Sequence, residues 1–256
     1  MMPSLFIAHG APSLALEENV YTEFLQKLGQ ELPKPRAIVL FSAHWESTTQ
    51  LVSSTDQYET IYDFGGFQPE LYQIKYPAQG HAETTADVLR LFKEAGIPAE
   101  ADSVRGLDHG AWVVLRLLYP EADIPVIALS VNRYLTNEQQ YQVGQALAAL
   151  REQNILVIGS GGTVHNLRQL NWESNGVDSW ALEFDQWLED KLVQWDTEAL
   201  FAYDKVAPSA RAAVPTPEHF VPLLLAMGAG DRTKKASLLF KAYQYGNLSL
   251  SCWKFD

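Results

Sequence analysis

With 256 residues, 47% of them hydrophobic and 20% charged, the chain can bury about three quarters of the surface it would expose when extended, which sets aside disorder and a fibrous class. A formal net charge of −12 opposes binding to nucleic acid, whose phosphate backbone requires a concentrated basic surface. No apolar run approaches the roughly 18 residues that span a bilayer.

The opening MMPSLFIAHG has neither the basic region nor the apolar length of a signal peptide, so cytoplasmic residence without a membrane partner is expected. Ser4–Ala8 is a short apolar strand that ends at His9-Gly10. Glu17–Leu28 repeats Val20, Phe24, Leu25 and Leu28 with a helical period, and Gly29 follows. Pro33 and Pro35 separate that helix from Ala37–Phe41, a continuous apolar run suited to a parallel strand covered on both faces. It leads into Ser42-Ala43-His44-Trp45. Thr60–Gly80 is rich in aromatics and broken by Gly and Pro, predicting loop with a short helix.

His81–Ala95 predicts a helix stopped by Gly96, and Ala111–Leu118 a second one, opening just after Asp108-His109-Gly110. Pro125–Val131 is a strand, and Thr136 with Gln139 forms a capping box for a helix running towards Arg151. Ile155–Ile158 is a buried strand that runs into GSGGTVHN. A helix over Ser179–Leu192 precedes a long irregular stretch; Pro215-Thr216-Pro217-Glu218-His219 then leads into the apolar helix Val221–Met227. Leu248–Trp253 alternates as a late strand. Strand and helix patterns alternate without a linker or a repeat. This predicts one α/β domain over residues 1–256, a mostly parallel central sheet with helices on both faces.

Cys252 is the only cysteine, which rules out an internal disulfide and a CxxC zinc site; it reads as a buried, inert thiol. The six histidines say more by their placement. His9 and His44 each follow a predicted strand, and His165 follows a third after a Gly-rich turn. In an open α/β sheet, positions just beyond the strand carboxyl ends converge on one crevice. His109 and His219, in loops ahead of helices, can share that rim. Neutral imidazole ligates zinc, iron or nickel when its other nitrogen has a hydrogen-bond partner, and Ser42, Asp108, Asn166 and Glu218 are close in sequence. Any one of these histidines alone reads as a hydrogen-bonded loop residue; three at strand ends point to a metal.

Other features carry less. GSGGTVHN lacks both GxGxxG spacing and a Walker lysine, so Gly161-Gly162 reads as a tight turn bringing His165 towards the site. The letters DFG at Asp63–Gly65 have no accompanying nucleotide loop and carry no kinase argument. His81 reads as a surface or near-cap residue. Asp108-His109 pairs a carboxylate with an imidazole, an arrangement suited to acid–base work. Tyr62, Phe64, Phe67, Tyr72 and Tyr76 either wall a flat substrate or pack a long loop.

FIAHGAP, VLFSAHW, YDFGGFQPELYQIKYPA, GLDHGAW, GTVHNL and PTPEHF occur in that order across nearly the whole chain. As an ordered set they resemble the class III extradiol ring-cleavage dioxygenases, specifically the DOPA 4,5-dioxygenase-like branch, related to the catalytic subunit of protocatechuate 4,5-dioxygenase. The resemblance implies one divalent metal ion per chain, held by His9, His44 and His219. It places His165 either as a fourth ligand or as the acid–base group beside the ion, and His109 as a second catalytic histidine. Where the protocatechuate enzymes use a glutamate, this branch places a histidine; here Glu218 and His219 are adjacent.

The implied reaction inserts both atoms of O₂ into a catechol such as DOPA, chelated at the ion. The implied partners are therefore a small aromatic diol and O₂. Fe(II) suits that chemistry. Zn(II), which has no redox chemistry, suits a set of histidines equally well and leaves two further readings: a zinc hydrolase, or a non-catalytic metal-binding interaction protein.

Overall fold

The computed structural model describes residues 1–174 and 176–256. Its strands are β1 (Ser4–Ala8), β2 (Ala37–Ser47), β3 (Gln50–Ser53), β4 (Ala99–Asp102), β5 (Val126–Asn132), β6 (Ile155–Gly161), β7 (Ala236–Gln244) and β8 (Leu248–Phe255). They form a single sheet in the order β4-β3-β5-β2-β6-β1-β8-β7. The four central strands β5, β2, β6 and β1 are mutually parallel. Antiparallel pairings join the edges to them, β3 on β5 and β8 on β1, with β7 closing the sheet as a hairpin with β8.

The central strands are buried along nearly their whole length, as their continuous apolar runs require, and alternate residues serve opposite faces. Leu5, Ile7, Ile38, Leu40, Leu156 and Ile158 face α1 (Val20–Glu31) and α3 (His109–Leu118). Val39, Phe41, Ile127, Leu129 and Val157 face α2 (Ala82–Glu94), α4 (Asn137–Ala146) and α9 (Val221–Ala229). On that second face α5 (Ser179–Gln194) packs Phe184, Leu188 and Leu192 against Phe6, Trp253 and Phe255. Helices cover both faces, as the alternating pattern predicts.

Several helix ends follow their local signals. Asn19 and Thr22 form a capping box that starts α1 later than the apolar period suggests, at Val20. Thr136 and Gln139 form the predicted box on α4. His81 is the N-cap of α2, its Nδ1 accepting from the Thr84 amide at 3.2 Å, so its part is structural. The stretch read as irregular after α5 contains three short helices, α6 (Thr197–Phe201), α7 (Tyr203–Val206) and α8 (Ala210–Ala213).

Three strands escape the sequence reading. β3 and β4 are four residues each and lie at one edge, where short polar segments give little period-two signal. β7 is half-buried throughout and borders only β8, across a connection in which Tyr245 and Gly246 both have positive φ.

Cys252 lies fully buried on β8, and burial pushes its thiol pKa up, as expected of an inert cysteine. Among the described residues no helix is long and apolar enough to cross a membrane.

Candidate functional site

Sheet register sets the level of the site. Ala8 of β1 lies opposite Gly161 of β6, and Ser42 of β2 opposite Ser160. The carboxyl ends of three neighbouring strands therefore reach one rim, where an open α/β sheet binds ligands. His9 leaves β1 there, its amide donating to the Gly161 carbonyl at 3.1 Å. His44 does not follow a strand, as the sequence suggests, but lies inside β2. The β2–β5 register shifts between Phe41 and Glu46, an irregularity of the kind that re-aims a side chain beside a functional site.

His219 reaches the rim from the turn before α9. Its carbonyl accepts from the Gly162 amide at 2.8 Å. An ideal Cβ on Gly161 would lie 2.1 Å from that same carbonyl oxygen, so only glycine lets the turn approach β6 this closely. Gly161 thus ends a strand and admits His219; it does not form the tight turn expected from the sequence, and neither it nor Gly162 has positive φ. His165 follows β6, its amide donating to the Ala213 carbonyl at 2.9 Å. His109 is the first residue of α3.

All five predicted site histidines meet. The Nε2 of His44 lies 3.1 Å from the Nε2 of His9 and 3.2 Å from that of His219. A nitrogen of His109 lies within 4.8 Å of ligand atoms on both His9 and His44, and its ring centroid is 4.0 Å from that of His44. His165 stacks on His219 with centroids 3.5 Å apart and an interplanar angle of 8°. His9, His109 and His219 are buried; His44 and His165 are half-buried. The sixth histidine, His81, stays outside, on α2.

The Nδ1 atoms face partners of their own. His219 Nδ1 is 2.9 Å from Glu218 Oε1, and His44 Nδ1 is 3.3 Å from Asp63 Oδ2. Burial alone would raise both carboxylates, but their contacts with His219 and with His109 hold Glu218 and Asp63 down at about 2. As an ionised acceptor Glu218 takes a proton-bearing Nδ1 from His219, whereas the approach of Asp63 to His44 is an ion-pair contact without hydrogen-bond geometry. Ser160 Oγ gives its hydrogen to the Gly110 carbonyl at 2.5 Å, leaving its oxygen to accept from His9 Nδ1 at 3.0 Å. Burial, reinforced by the neighbouring imidazoles, depresses His9 well below its ordinary value and His44 to about 2, so both rings are neutral near pH 7.

At these distances the three Nε2 atoms suit either a proton carried on His44 Nε2 or a cation lying among them. Two nitrogens each about 2.0–2.1 Å from one ion are separated by about 2.9 Å at a right angle and about 3.4 Å at the tetrahedral angle. The observed 3.1 and 3.2 Å fall between these limits. Neutral rings with their second nitrogens engaged are what a histidine metal site requires, so the donor set fits a divalent ion.

Two supporting groups differ from the sequence reading. The carboxylate that meets His109 is not its neighbour Asp108 but Asp63, whose Oδ1 accepts from both the backbone amide and Nδ1 of His109 at 2.9 Å. Asp108 instead caps α3, accepts from Ser42 Oγ at 2.5 Å and pairs with Arg105 at 3.0 Å. Asn166 bonds the Ala212 carbonyl at 2.8 Å and shapes the His165 loop. Ser160 and Asp63 went unmarked in the sequence. Ser160 has no local signal, while Asp63 sits within the letters DFG.

The aromatic segment divides. Tyr76 is core, its hydroxyl donating to the Tyr119 carbonyl. Tyr62, Phe64, Tyr72 and Trp112 form an aromatic cluster, and Phe64 presents its ring edge-on to His109 with centroids 5.7 Å apart. That leaves Phe64 as the aromatic in contact with the histidine cluster.

Fold and imidazole cluster together define the class: an α/β enzyme with a histidine-lined candidate metal centre at the strand carboxyl ends. The chain belongs to the family described as the catalytic LigB subunit of aromatic ring-opening dioxygenase, whose model matches residues 3–251. It is similar to the 4,5-DOPA dioxygenase extradiol of Beta vulgaris, 42% identical over 256 residues that cover 98% of this chain and 96% of that protein. The protein of the same name from Escherichia coli strain K12 is 38% identical over 255 residues, covering 97% and 93%. The crystal structure of an uncharacterized protein from Escherichia coli K12 matches with a TM-score of 0.86 at 34% identity, covering 100% of both chains. The protein is thus an enzyme of the extradiol ring-opening dioxygenase class, whose members use a metal, an aromatic substrate and O₂.

Proposed function

We propose that His9, His44 and His219 hold one divalent metal ion through their Nε2 atoms, and that the enzyme opens a catechol-type ring, such as that of DOPA, beside its two hydroxyls. The observation that carries the ligand assignment is the approach of the three Nε2 atoms at 3.1 and 3.2 Å. Support for the substrate class comes from relatives named for DOPA at about 40% identity. When bound, Fe(II) supplies open coordination positions for the two catechol oxygens and O₂ and the electron exchange that O₂ activation needs. Zn(II) competes for the same nitrogens and lacks that redox chemistry.

The protein's own groups then have separate tasks. His165 lies parallel to His219, so its in-plane lone pairs run alongside those of its neighbour and do not converge with them on one ion. We assign it to proton removal from a catechol hydroxyl. Burial, then His219, depresses it to about 3, so it is neutral near pH 7 and would accept a proton from a hydroxyl whose acidity a bound cation raises. His109, anchored to Asp63 through Nδ1, lies beside His9 and His44, and we assign it to stabilising negative charge that develops on the substrate. Phe64, edge-on to His109, offers an apolar wall for the ring. Glu218 orients His219 from outside the ligand set.

Reaction class and working metal are tested together by anaerobic purification, reconstitution with Fe(II) or Zn(II), and a catechol panel read by oxygen uptake and product absorbance. The iron form should consume one O₂ per ring opened and the zinc form none. Well-loaded iron enzyme that leaves every catechol intact would overturn the reading.

A further inference from the structure

His44 sits on a stretch of β2 that the neighbouring strands do not hold. Pairing with β6 ends at Ser42, and pairing with β5 lapses between Phe41 and Glu46, so Ala43, His44 and Trp45 have no partner in the sheet register on either side. Backbone polar groups left there need other partners. The His44 amide donates to Ser42 Oγ at 3.2 Å, and the His44 carbonyl accepts from Arg105 Nη2 at 3.0 Å. Both partners end on one carboxylate. Ser42 Oγ donates to Asp108 Oδ1 at 2.5 Å, and the same Nη2 of Arg105 donates to Asp108 Oδ2 at 3.0 Å. Arg105 also lies over the Trp45 ring, 5.6 Å from its centroid, while Ser42 and Asp108 are buried.

We propose that Asp108 is a positioning residue for His44: through Ser42 and Arg105 it holds the amide and the carbonyl of that residue, and so fixes where the imidazole stands against His9 and His219. This role rests on the ligand assignment of His44 proposed above. A helix cap needs only one acceptor, and the Ala111 amide uses Oδ1 for that at 3.2 Å. Oδ2 is given to Arg105. A buried carboxylate requires pairing, and here the partners beyond the cap both lead to the same segment of β2. Without ladder bonds the shape of that segment follows the side chains that tie it.

The first turn of α3 thereby meets His44, His109 and His9. Asp108 ties the His44 segment, His109 is the next residue, and the Gly110 carbonyl accepts from Ser160 Oγ, whose oxygen lies 3.0 Å from His9 Nδ1. Contact there is close enough to require glycine: a Cβ at Gly110 would lie 2.8 Å from Ser42 Oγ and 2.9 Å from His44 Cδ2. One helix start is thus the common reference for a proposed ligand on β2 and another at the end of β1.

Asp108→Asn separates positioning from capping. Asparagine caps a helix as well as aspartate does. With its carbonyl oxygen kept for Ser42 and the Ala111 amide, its NH₂ takes the place of Oδ2 and meets Arg105 donor to donor. Zn(II) and Co(II), each alone, are the probes, so no readout depends on turnover. Zn(II) affinity by chelator competition should fall roughly 10-fold, the low end of the range for groups behind a metal-bound histidine, because the tie is to backbone. Co(II) bound at saturation should show shifted d–d absorption bands. The metal-free variant should still melt cooperatively by circular dichroism.

Arg105→Met removes the tie from the other side and should lower Zn(II) affinity alike. Arg105→Lys, whose ammonium can donate to both acceptors, should recover part of it. Asp108→Asn/Arg105→Met leaves no charge unpaired and should bind Zn(II) no more weakly than the weaker single variant, since both changes break one link. If Asp108→Asn does not melt cooperatively, Arg105→Met and the double variant decide.

Zn(II) affinity within twofold of wild type and an unchanged Co(II) spectrum in Asp108→Asn and Arg105→Met would overturn the role and leave the dioxygenase reading intact; Asp108 would then be a helix cap alone. Wild-type protein that binds neither ion stoichiometrically would instead remove the ligand assignment of His44, and this role with it.

Discussion

The imidazoles of His165 and His219 lie face to face, centroids 3.5 Å apart and planes within 8° of parallel. The lone pairs of rings in that relation run side by side, so with His219 as the proposed ligand and His165 as the proposed base, replacing them should have opposite consequences. His219→Ala should lose bound metal. His165→Ala should keep close to one ion per chain and lose about 10²–10⁴-fold in kcat, the range for a removed acid–base group. Metal analysis after dialysis and oxygen uptake at full Fe(II) loading measure the two quantities. A His165→Ala protein that emerges metal-free would place that ring among the ligands.

Gly161 and Gly65 make a matched comparison. A Cβ at Gly161 would lie 2.1 Å from the His219 carbonyl oxygen, whereas one at Gly65 meets nothing within 4 Å. Gly161→Ala should destabilise by about 1–3 kcal/mol through overpacking, and should weaken metal binding because the turn it pushes carries His219. Gly65→Ala should be neutral or stabilise by up to about 1 kcal/mol by restricting the unfolded chain. Urea midpoints of the metal-free proteins test both, and equal midpoints would contradict the close approach.

Acid should destabilise the metal-free protein unusually early. Burial, with help from neighbouring imidazoles, holds His9 well below the ordinary 6.5 and takes His44 to about 2 and His165 to about 3. Below pH 6.5 the unfolded chain therefore binds protons that the folded chain refuses, and stability falls as pH drops from about 6.5 towards these depressed values. Asp63 and Glu218, also held near 2, extend the loss below about 4.5. Asp185, raised by burial, works in the opposite direction as pH falls through the ordinary carboxylate range, but it is a single group. The melting temperature should decline steadily from pH 7 to pH 4, and bound Zn(II) should flatten that decline until it dissociates. A flat melting profile across this interval would contradict the buried neutral cluster.

Arg151 is fully buried at the opposite end of the sheet from the histidines. Its guanidinium donates to the carbonyls of Met2 at 2.7 Å, Ala229 at 2.8 Å and Phe255 at 3.3 Å, joining the entry to β1, the end of α9 and the end of β8. Arg151→Met would bury three carbonyls without these donors and should cost about 3–5 kcal/mol, with metal stoichiometry unchanged in whatever folds. Denaturant titration beside metal analysis separates stability from site chemistry.

Pattern and punctuation were enough to reveal the alternating α/β order, the parallel central strands and the capping box at Thr136 and Gln139, because burial on both faces writes continuous apolar runs and caps need particular side chains within three residues. His9, His44, His109, His165 and His219 were also legible, since strand carboxyl ends and helix starts in such a sheet share one rim. Tertiary structure alone decided which carboxylate serves which ring. Asp108 is adjacent to His109 yet spends itself on a helix cap and on Arg105, while Asp63, 46 positions away, takes the imidazole. The edge strands β3, β4 and β7 and the close approach at Gly161 were likewise invisible beforehand. Each depends on what lies across a non-local contact, and local sequence records a residue's own preferences but not the identity of the group that folding brings to face it.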